Sequence, residues 1–289
     1  MDENWTILKV LQWTTRYFTS KGIGQARANA EVLLAHVLGI ERIQLYLNYD
    51  RPLGPGELAR FREIIKRRAA FEPSQYIVGK QEFWSLQFEV SPAVLIPRPE
   101  TEVLVEKALE ILGEEDALVL DLGTGSGAIP VALAHERSSI RVIATDRSLE
   151  ALAVAKRNAA RNDVSGRIHF ALADLFEAFS VLPHFELIVS NPPYVSESEY
   201  QELAPEISRY EPASALRGGG EHGLDLIRKI LEHFPKYLKP GGSLLVEIGQ
   251  GQADFLQLEL DSAFAGQFEF IPDYSGIKRV LHLRKPEES

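Results

Sequence analysis

Hydrophobic and polar positions alternate with a helical period over the first quarter of the chain. Residues 4–20 set Trp5, Leu8, Leu11, Trp13 and Phe18 among polar neighbours. Residues 25–38 do the same with Ala30, Val32, Leu33, Leu34, Val37 and Leu38, and Gly39 follows. Apolar positions three and four apart predict two helices, the second stopped by its glycine. Arg42–Leu47 predicts a short third. After Pro52-Leu53-Gly54-Pro55-Gly56, residues 57–70 place Leu58, Phe61, Ile64 and Ile65 on one face, which predicts a fourth. Its other face carries Arg60, Arg62, Lys66, Arg67 and Arg68. Such a stripe is first a solvated helix face, and second a contact for an acidic or nucleic-acid-bearing partner. Residues 1–76 are expected to form a small helical domain.

The period then changes. Glu82-Phe83-Trp84 and Leu86–Val90 alternate apolar with polar and are separated by one polar residue, which predicts a β-hairpin. In Ile96-Pro97-Arg98-Pro99-Glu100-Thr101-Glu102, two prolines around an arginine make a rigid loop. Thr101 is placed to cap a helix whose apolar positions are Val103, Leu104, Val105, Ala108, Leu109, Ile111 and Leu112. Residues 77–100 therefore read as hairpin and linker, and residues 101–289 as a third region.

In that region strands alternate with helices. Strands are predicted at 117–122, 140–145, 168–172, 185–190 and 243–248, with two further apolar alternations at 268–271 and 278–283. Helices are predicted at 128–136, 149–161, 224–237 and 252–260, and Lys239-Pro240-Gly241-Gly242 punctuates the chain after the third. This pattern implies an α/β fold with a mainly parallel sheet covered on both faces. Ligands bind such sheets at the carboxyl ends of the strands.

Composition narrows the class. Of 289 residues, 45% are hydrophobic and 25% charged, as in globular proteins. The net charge of -10 argues against affinity built on neutralising many phosphates. The chain has no cysteine, which removes disulfides, thiolate nucleophiles and thiolate metal sites, and no metal site is expected. The opening MDENWTILKVLQW lacks a basic segment followed by an apolar run, and no apolar stretch reaches membrane-spanning length. A cytoplasmic protein with no membrane partner is expected.

Candidate chemistry lies at strand ends. Asp121-Leu122-Gly123-Thr124-Gly125-Ser126-Gly127 closes one strand and opens a helix. Its G-x-G-x-G spacing differs from the G-x-G-x-x-G dinucleotide fingerprint. A carboxylate before the glycines repels a pyrophosphate but holds an ammonium group. These features favour S-adenosylmethionine over NAD. Asp146 ends the next strand, about 20 residues on, where a carboxylate accepts both ribose hydroxyls. It could instead cap the following helix, a role also open to Ser148. Asp174 sits where it could reach the adenine amine, and Leu175 and Phe176 could pack on the adenine face. Phe176 is equally a core residue by its type.

Asn191-Pro192-Pro193-Tyr194 follows the buried-looking strand 185–190. The prolines stiffen the backbone and remove two donors, and the asparagine before them is held extended. A stiff segment presenting an amide oxygen, a carbonyl and a ring suits a planar –NH2 group: two acceptors take its hydrogens and the ring covers its face. Taken alone, the same four residues are equally a strand-ending turn. Beside a methyl-donor site they read as the acceptor half. Asn191, Pro192 and Tyr194 are the candidate catalytic residues. Arg98 and Asn191–Tyr194 are the candidate substrate-binding residues.

The order of these motifs resembles the bacterial release factor glutamine methyltransferases (HemK/PrmC family), over nearly the whole chain. The resemblance implies a class I methyltransferase domain, a seven-stranded sheet with its last strand antiparallel. It implies methyl transfer from S-adenosylmethionine, leaving S-adenosylhomocysteine, to the glutamine of the Gly-Gly-Gln motif in peptide chain release factors. It also implies that Gly123–Gly127, Asp146, Leu175 and Asn191 contact the cofactor and that the tetrapeptide binds the glutamine. Substrate recognition by the helical domain is expected from that domain's position and from the basic stripe near Lys66. At Leu175 the chain departs from the tryptophan of some members. Three other readings stand beside it. A ribosomal-protein glutamine methyltransferase shares the tetrapeptide, although the Pro97–Thr101 loop looks more like the release factor branch. A nucleic-acid amino methyltransferase would flip its base and grip phosphates, against the charge. A non-catalytic binding module would keep the fold without needing both motifs.

Overall fold

The computed structural model describes residues 5–287. Residues 1–4 and 288–289, the outer ends of the predicted first and third regions, lie outside the described residues. The chain divides into two compact units, one of residues up to Gly79 together with Ala204–Tyr210, the other of Lys80–Leu203 and the residues from Glu211 onward. The first boundary falls three residues beyond the predicted 76, because a short helix precedes Gly79.

The helical unit holds α1 (Ile7–Ser20), α2 (Ala26–Leu38), α3 (Arg42–Leu47), α4 (Pro55–Ala69) and α5 (Ser74–Val78). The Thr6 hydroxyl accepts from the Lys9 amide and starts α1. Gly39 ends α2 in the left-handed conformation. α4 begins two residues before its predicted start because Pro55 occupies the first helical position, where a missing N–H costs nothing. Phe18, Leu33, Leu34, Leu45 and Phe61 fill the core. Of the basic stripe on α4, Arg60, Arg62, Lys66 and Arg67 are exposed, as a solvated face requires, while Arg68 is drawn into this unit. Arg68, only 3% exposed, donates to Asn29 at 2.9 Å and pairs with Glu206. Arg67 pairs with Glu72, and Lys66 with Glu63.

In the sheet unit, β1 (Lys80–Phe83) and β2 (Leu86–Glu89) form the hairpin. Trp84 leaves its predicted strand and shares a two-residue turn with Ser85, both at positive φ, as a primed hairpin turn demands. Its indole N–H donates to Glu136 and its amide to Glu102, which holds this unusual turn sequence in place. After α6 (Glu102–Leu112) come β3 (Ala117–Leu122), α7 (Ala128–Glu136), β4 (Ile140–Asp146), α8 (Leu149–Arg161), β5 (Ile168–Leu172) and β6 (Phe185–Ser190). The short α9 (Glu197–Glu202) and α10 (Pro205–Ser208) follow, then α11 (Asp225–His233), β7 (Leu238–Glu247), α12 (Gln252–Ala263), β8 (Phe268–Pro272) and β9 (Lys278–Arg284).

Seven strands form one sheet in the order β5-β4-β3-β6-β7-β9-β8. Only the pairings that involve β9 are antiparallel. Lys239–Gly242, predicted as a loop, lies within β7. Phe185 pairs with Leu238 but Leu187 with Ser243, so the four residues are accommodated as an irregularity between them. Alternate residues of each strand face opposite cores. Val119, Val142, Leu187 and Leu245 meet the residues of α6 and α7; Leu120, Ile188, Leu244 and Val246 meet those of α11 and α12. Fully burying each such side chain contributes about 1.5–3 kcal/mol.

Register then sets the site. Leu122 pairs with both Thr145 and Ser190, and Asp146 with Leu172. The segments that follow these residues therefore leave the sheet side by side at its carboxyl edge. Strand order reverses between β3 and β6, the position where open α/β sheets take ligands.

Candidate active site

A cavity of about 520 Å³ opens at that edge, within the size range of small-molecule and cofactor sites. It gathers Gly123, Thr124, Gly125 and Ser126 after β3, Asp146 after β4, Asp174 and Leu175 after β5, and Asn191 and Pro193 after β6. Arg98 and Thr101 line it as well. Asp121, Gly127, Pro192 and Tyr194 do not.

Each glycine-loop residue has its own task. A β-carbon at Gly127 would lie 3.1 Å from the Ala155 β-carbon, so this glycine serves the packing of α7 on α8 rather than the cavity. At Gly123 and Gly125 nothing lies within 4 Å of such a carbon, which leaves room for a ligand to approach the backbone. Buried Asn158 of α8 donates to the carbonyls of Ser126, at 2.8 Å, and Glu89, at 3.0 Å, and ties the loop to the hairpin.

Asp146 accepts from the Gly125 amide and from the Ser148 amide, both at 2.9 Å, one with each oxygen. It thereby sets the loop's conformation, and each oxygen keeps lone-pair capacity toward the cavity. Capping of α8 falls to Ser148, whose hydroxyl accepts from Ala151. Leu175 adopts a left-handed φ of 47°, a strain of about 1–2 kcal/mol for a side-chain-bearing residue, at the cavity wall. Phe176 is core: it is 5% exposed and stacks on Tyr237 at 4.6 Å.

Asp121 is 1% exposed, and neither of its oxygens has a hydrogen-bond partner. Burial pushes its carboxyl up to about 7, the Asp146 charge adds to this, and the nearby Thr124 hydroxyl opposes it without reaching hydrogen-bonding geometry. An orphaned carboxylate beside an orphaned Thr124 hydroxyl fits a cationic ligand group. Between about pH 4 and pH 7 the folded chain holds a proton at Asp121 that the unfolded chain has released, so ligand-free stability falls as pH rises through that window. Melting curves from pH 4.5 to 7.5 are expected to show this decline, less steeply in Asp121→Asn. An unchanged slope in the variant would mean that Asp121 titrates as an ordinary carboxyl.

The tetrapeptide is held from several sides. The Asn191 amide nitrogen donates to the Thr101 hydroxyl at 3.1 Å, and Thr101 donates to Glu247 at 2.7 Å. Thr101 has helical backbone angles and makes no capping bond, so the cap predicted for it is replaced by these contacts. Tyr194 is turned into the structure rather than toward the cavity, and its hydroxyl donates to Glu247 at 3.4 Å. Burial, with the Glu247 charge beside it, pushes the Tyr194 phenol up, so it remains a donor. Gln252 donates to the Tyr194 carbonyl at 2.8 Å and to the His222 carbonyl at 2.7 Å. Glu211, only 5% exposed, pairs with Arg98 and accepts from the Ile96 amide at 3.1 Å. One edge of Arg98 is thus committed to shaping the loop.

Sequence reasoning missed Glu247, Glu211, Gln252 and Asn158. For Glu247 a signal existed: a carboxylate ending the apolar run Leu244-Leu245-Val246 has no place in a buried strand without a task.

Residues 9–79 match the family described as PrmC N-terminal domain, and residues 99–222 match the methyltransferase small domain. The chain is 46% identical over 288 residues to a release factor glutamine methyltransferase of Geobacter sulfurreducens, covering 96% of each. It is 41% identical over 286 residues to one of Chlorobaculum tepidum, again covering 96% of each. Among solved structures, the hMettl16 catalytic domain with an RNA hairpin aligns at TM-score 0.59 and 15% identity, over 76% of this chain and 82% of that one. A methyltransferase from Pyrococcus furiosus aligns at TM-score 0.52 and 19% identity, over 76% and 98%. These structures share the fold.

Proposed function

Since the chain belongs to the release factor glutamine methyltransferase family, we propose that it methylates the side-chain amide nitrogen of a release factor glutamine, the one in the Gly-Gly-Gln motif, from S-adenosylmethionine. One observation carries this reading: the glycine loop, Asp146 and Asn191 line a single cavity. Bound there, S-adenosylmethionine supplies an electrophilic methyl group on a sulfonium. Asp146 is assigned to the ribose hydroxyls, Asp174 and Leu175 to the adenine, and Asp121 to the cationic end.

An amide nitrogen is a poor nucleophile because its lone pair is delocalised. The protein's contribution is position and electrostatics. The Asn191 side-chain oxygen, in the cavity wall, is assigned an N–H of the glutamine, whereas the Pro192 carbonyl, the second acceptor expected from the sequence, belongs to a residue outside the lining. The Asn191 dipole favours the pyramidal nitrogen that carries positive charge as the N–C bond forms and the methyl–sulfur bond breaks, its electron pair staying on the sulfur of the departing S-adenosylhomocysteine. A proton then leaves to solvent, and no general base is required beforehand. Tyr194 supports the tetrapeptide through Glu247 rather than covering the acceptor.

Among the described residues no helix is long and apolar enough to cross a membrane. A cytoplasmic setting and a protein rather than nucleic-acid acceptor are part of the proposal, supported by the net charge of -10. The helical unit is assigned to recognising the release factor, since the residues lining the cavity come from the sheet unit. The test mixes the purified chain with methyl-labelled S-adenosylmethionine and, separately, a release factor, a Gly-Gly-Gln peptide, ribosomal protein and DNA. Label is expected on the release factor glutamine, with the peptide a poorer substrate. Label on ribosomal protein alone, on DNA, or nowhere would defeat the proposal.

A further inference from the structure

Glu247 and Thr101 are buried, at 0% and 4% exposure, yet they join the tetrapeptide in one hydrogen-bonded chain. The two oxygens of Glu247 receive the Thr101 hydroxyl at 2.7 Å and the Tyr194 hydroxyl at 3.4 Å. The Thr101 oxygen in turn receives the Asn191 amide nitrogen at 3.1 Å. These groups come from three separate elements: the turn before α6, the end of β7 and the end of β6.

We propose that Glu247, acting through Thr101, sets which atom of the Asn191 carboxamide faces the acceptor glutamine, and that both are positioning residues of the reaction. The inference rests on the glutamine-methylation reading above. A hydroxyl carries one proton, and a carboxylate only accepts. Thr101 therefore gives its proton to Glu247 and meets Asn191 with a lone pair. That lone pair requires the –NH2 end of Asn191, which leaves the amide oxygen for the incoming glutamine. An amide's oxygen and nitrogen ends are nearly alike in shape, so orientation is decided by such networks. Without the carboxylate, Thr101 can turn its proton toward Asn191, the carboxamide can flip, and a donor then faces a donor.

The charge state of Glu247 bears on this. Burial pushes its carboxyl up to about 7, opposed by the Thr101 and Tyr194 hydrogen bonds and by Arg279, and reinforced by Glu100. A protonated Glu247 can donate to Thr101 and release the constraint. Turnover at saturating cofactor is therefore expected to rise between about pH 6 and pH 8.

The experiment measures release factor methylation, cofactor affinity and melting temperature for Thr101→Val, Thr101→Ser and Glu247→Gln in the full chain. Thr101→Val keeps the shape and removes the hydroxyl. Its kcat is expected to fall roughly 10- to 100-fold, the scale of misplacing a reacting group. Its cofactor affinity should stay within about threefold, and Thr101→Ser should restore most of the turnover, since only the hydroxyl is needed. Glu247→Gln is expected to lower kcat and to erase the rise toward pH 8. Thr101→Val turning over within twofold of the unaltered protein would overturn the inference. Should Thr101→Val not fold, an intact pH limb in Glu247→Gln would do the same. If the unaltered protein methylates no release factor, the functional reading fails first, and the two failures are distinct.

Discussion

Asn191→Ala is expected to lower the rate of glutamine methylation by roughly 10²- to 10³-fold, about 2.7–4 kcal/mol of transition-state stabilisation, the measured scale for removing one preorganised dipole from a reacting centre. The side chain lines the cavity and is oriented by Thr101. Its oxygen is a fixed dipole, which needs no reorganisation as positive charge grows on the attacking nitrogen. A water molecule filling the vacated space would have to be oriented at the moment of reaction. The substitution also removes the hydrogen bond to Thr101, worth about 0.5–1.5 kcal/mol of stability. That is a small share of a domain's usual 5–15 kcal/mol, so the fold survives and the loss is one of chemistry.

Cofactor affinity separates this from a general collapse of the site. The glycine loop is held by Asp146 and Asn158, neither of which touches Asn191 through a hydrogen bond. S-adenosylmethionine binding, followed by calorimetry, should therefore weaken far less than single-turnover methyl transfer. Equal turnover in Asn191→Ala and the unaltered protein would remove Asn191 from the mechanism. A parallel loss of cofactor affinity and turnover would make it a cofactor ligand first.

What the sequence made legible is local. The seven-stranded sheet could be read because buried parallel strands are short apolar runs set off by glycine, proline and helical spacing. The glycine loop, Asp146 and the tetrapeptide could be placed because each directly follows such a run. What it hid depends on distant partners. The primed turn at Trp84-Ser85 carries no asparagine or glycine, and it is held by Glu102 and Glu136 from two other elements. Thr101 looked like a cap because its sequence neighbours begin a helix, whereas its partners Asn191 and Glu247 lie 90 and 146 residues away. The charge stripe on α4 reads as a solvated face, which holds for Arg60, Arg62, Lys66 and Arg67, whereas Arg68 is buried against Asn29 and Glu206. In each case the residue type was visible and its partner was not.

The largest structural effect is expected from Gly223→Ala, in a glycine-rich loop, Gly218-Gly219-Gly220-Glu221-His222-Gly223, that the sequence reading passed over. A β-carbon at Gly223 would lie 2.0 Å from the Tyr194 carbonyl oxygen, with φ at +70°. One at Gly218 would lie 2.0 Å from the Gly223 carbonyl oxygen and 2.7 Å from that of Pro193. The loop thus lies directly against the backbone of the tetrapeptide, and Gln252 bonds both Tyr194 and His222 across the contact. An alanine there adds about 1–2 kcal/mol of left-handed strain and about 1–3 kcal/mol of overpacking. Together they lower the melting temperature by roughly 10 °C in a domain of this size. Relief by moving the Tyr194 carbonyl would shift the preceding Pro192 and Asn191 with it, and an error near 1 Å at a reacting centre costs about 10²-fold in rate. Gly276→Ala is the control: φ there is +80°, but nothing lies within 4 Å of the added carbon, so it reports the strain without the clash. Thermal melting and methylation of both variants decide the matter. Gly223→Ala should lose more stability than Gly276→Ala, and most of its turnover as well. Matching melting temperatures and matching rates would show that the loop yields freely and does not hold the tetrapeptide in place.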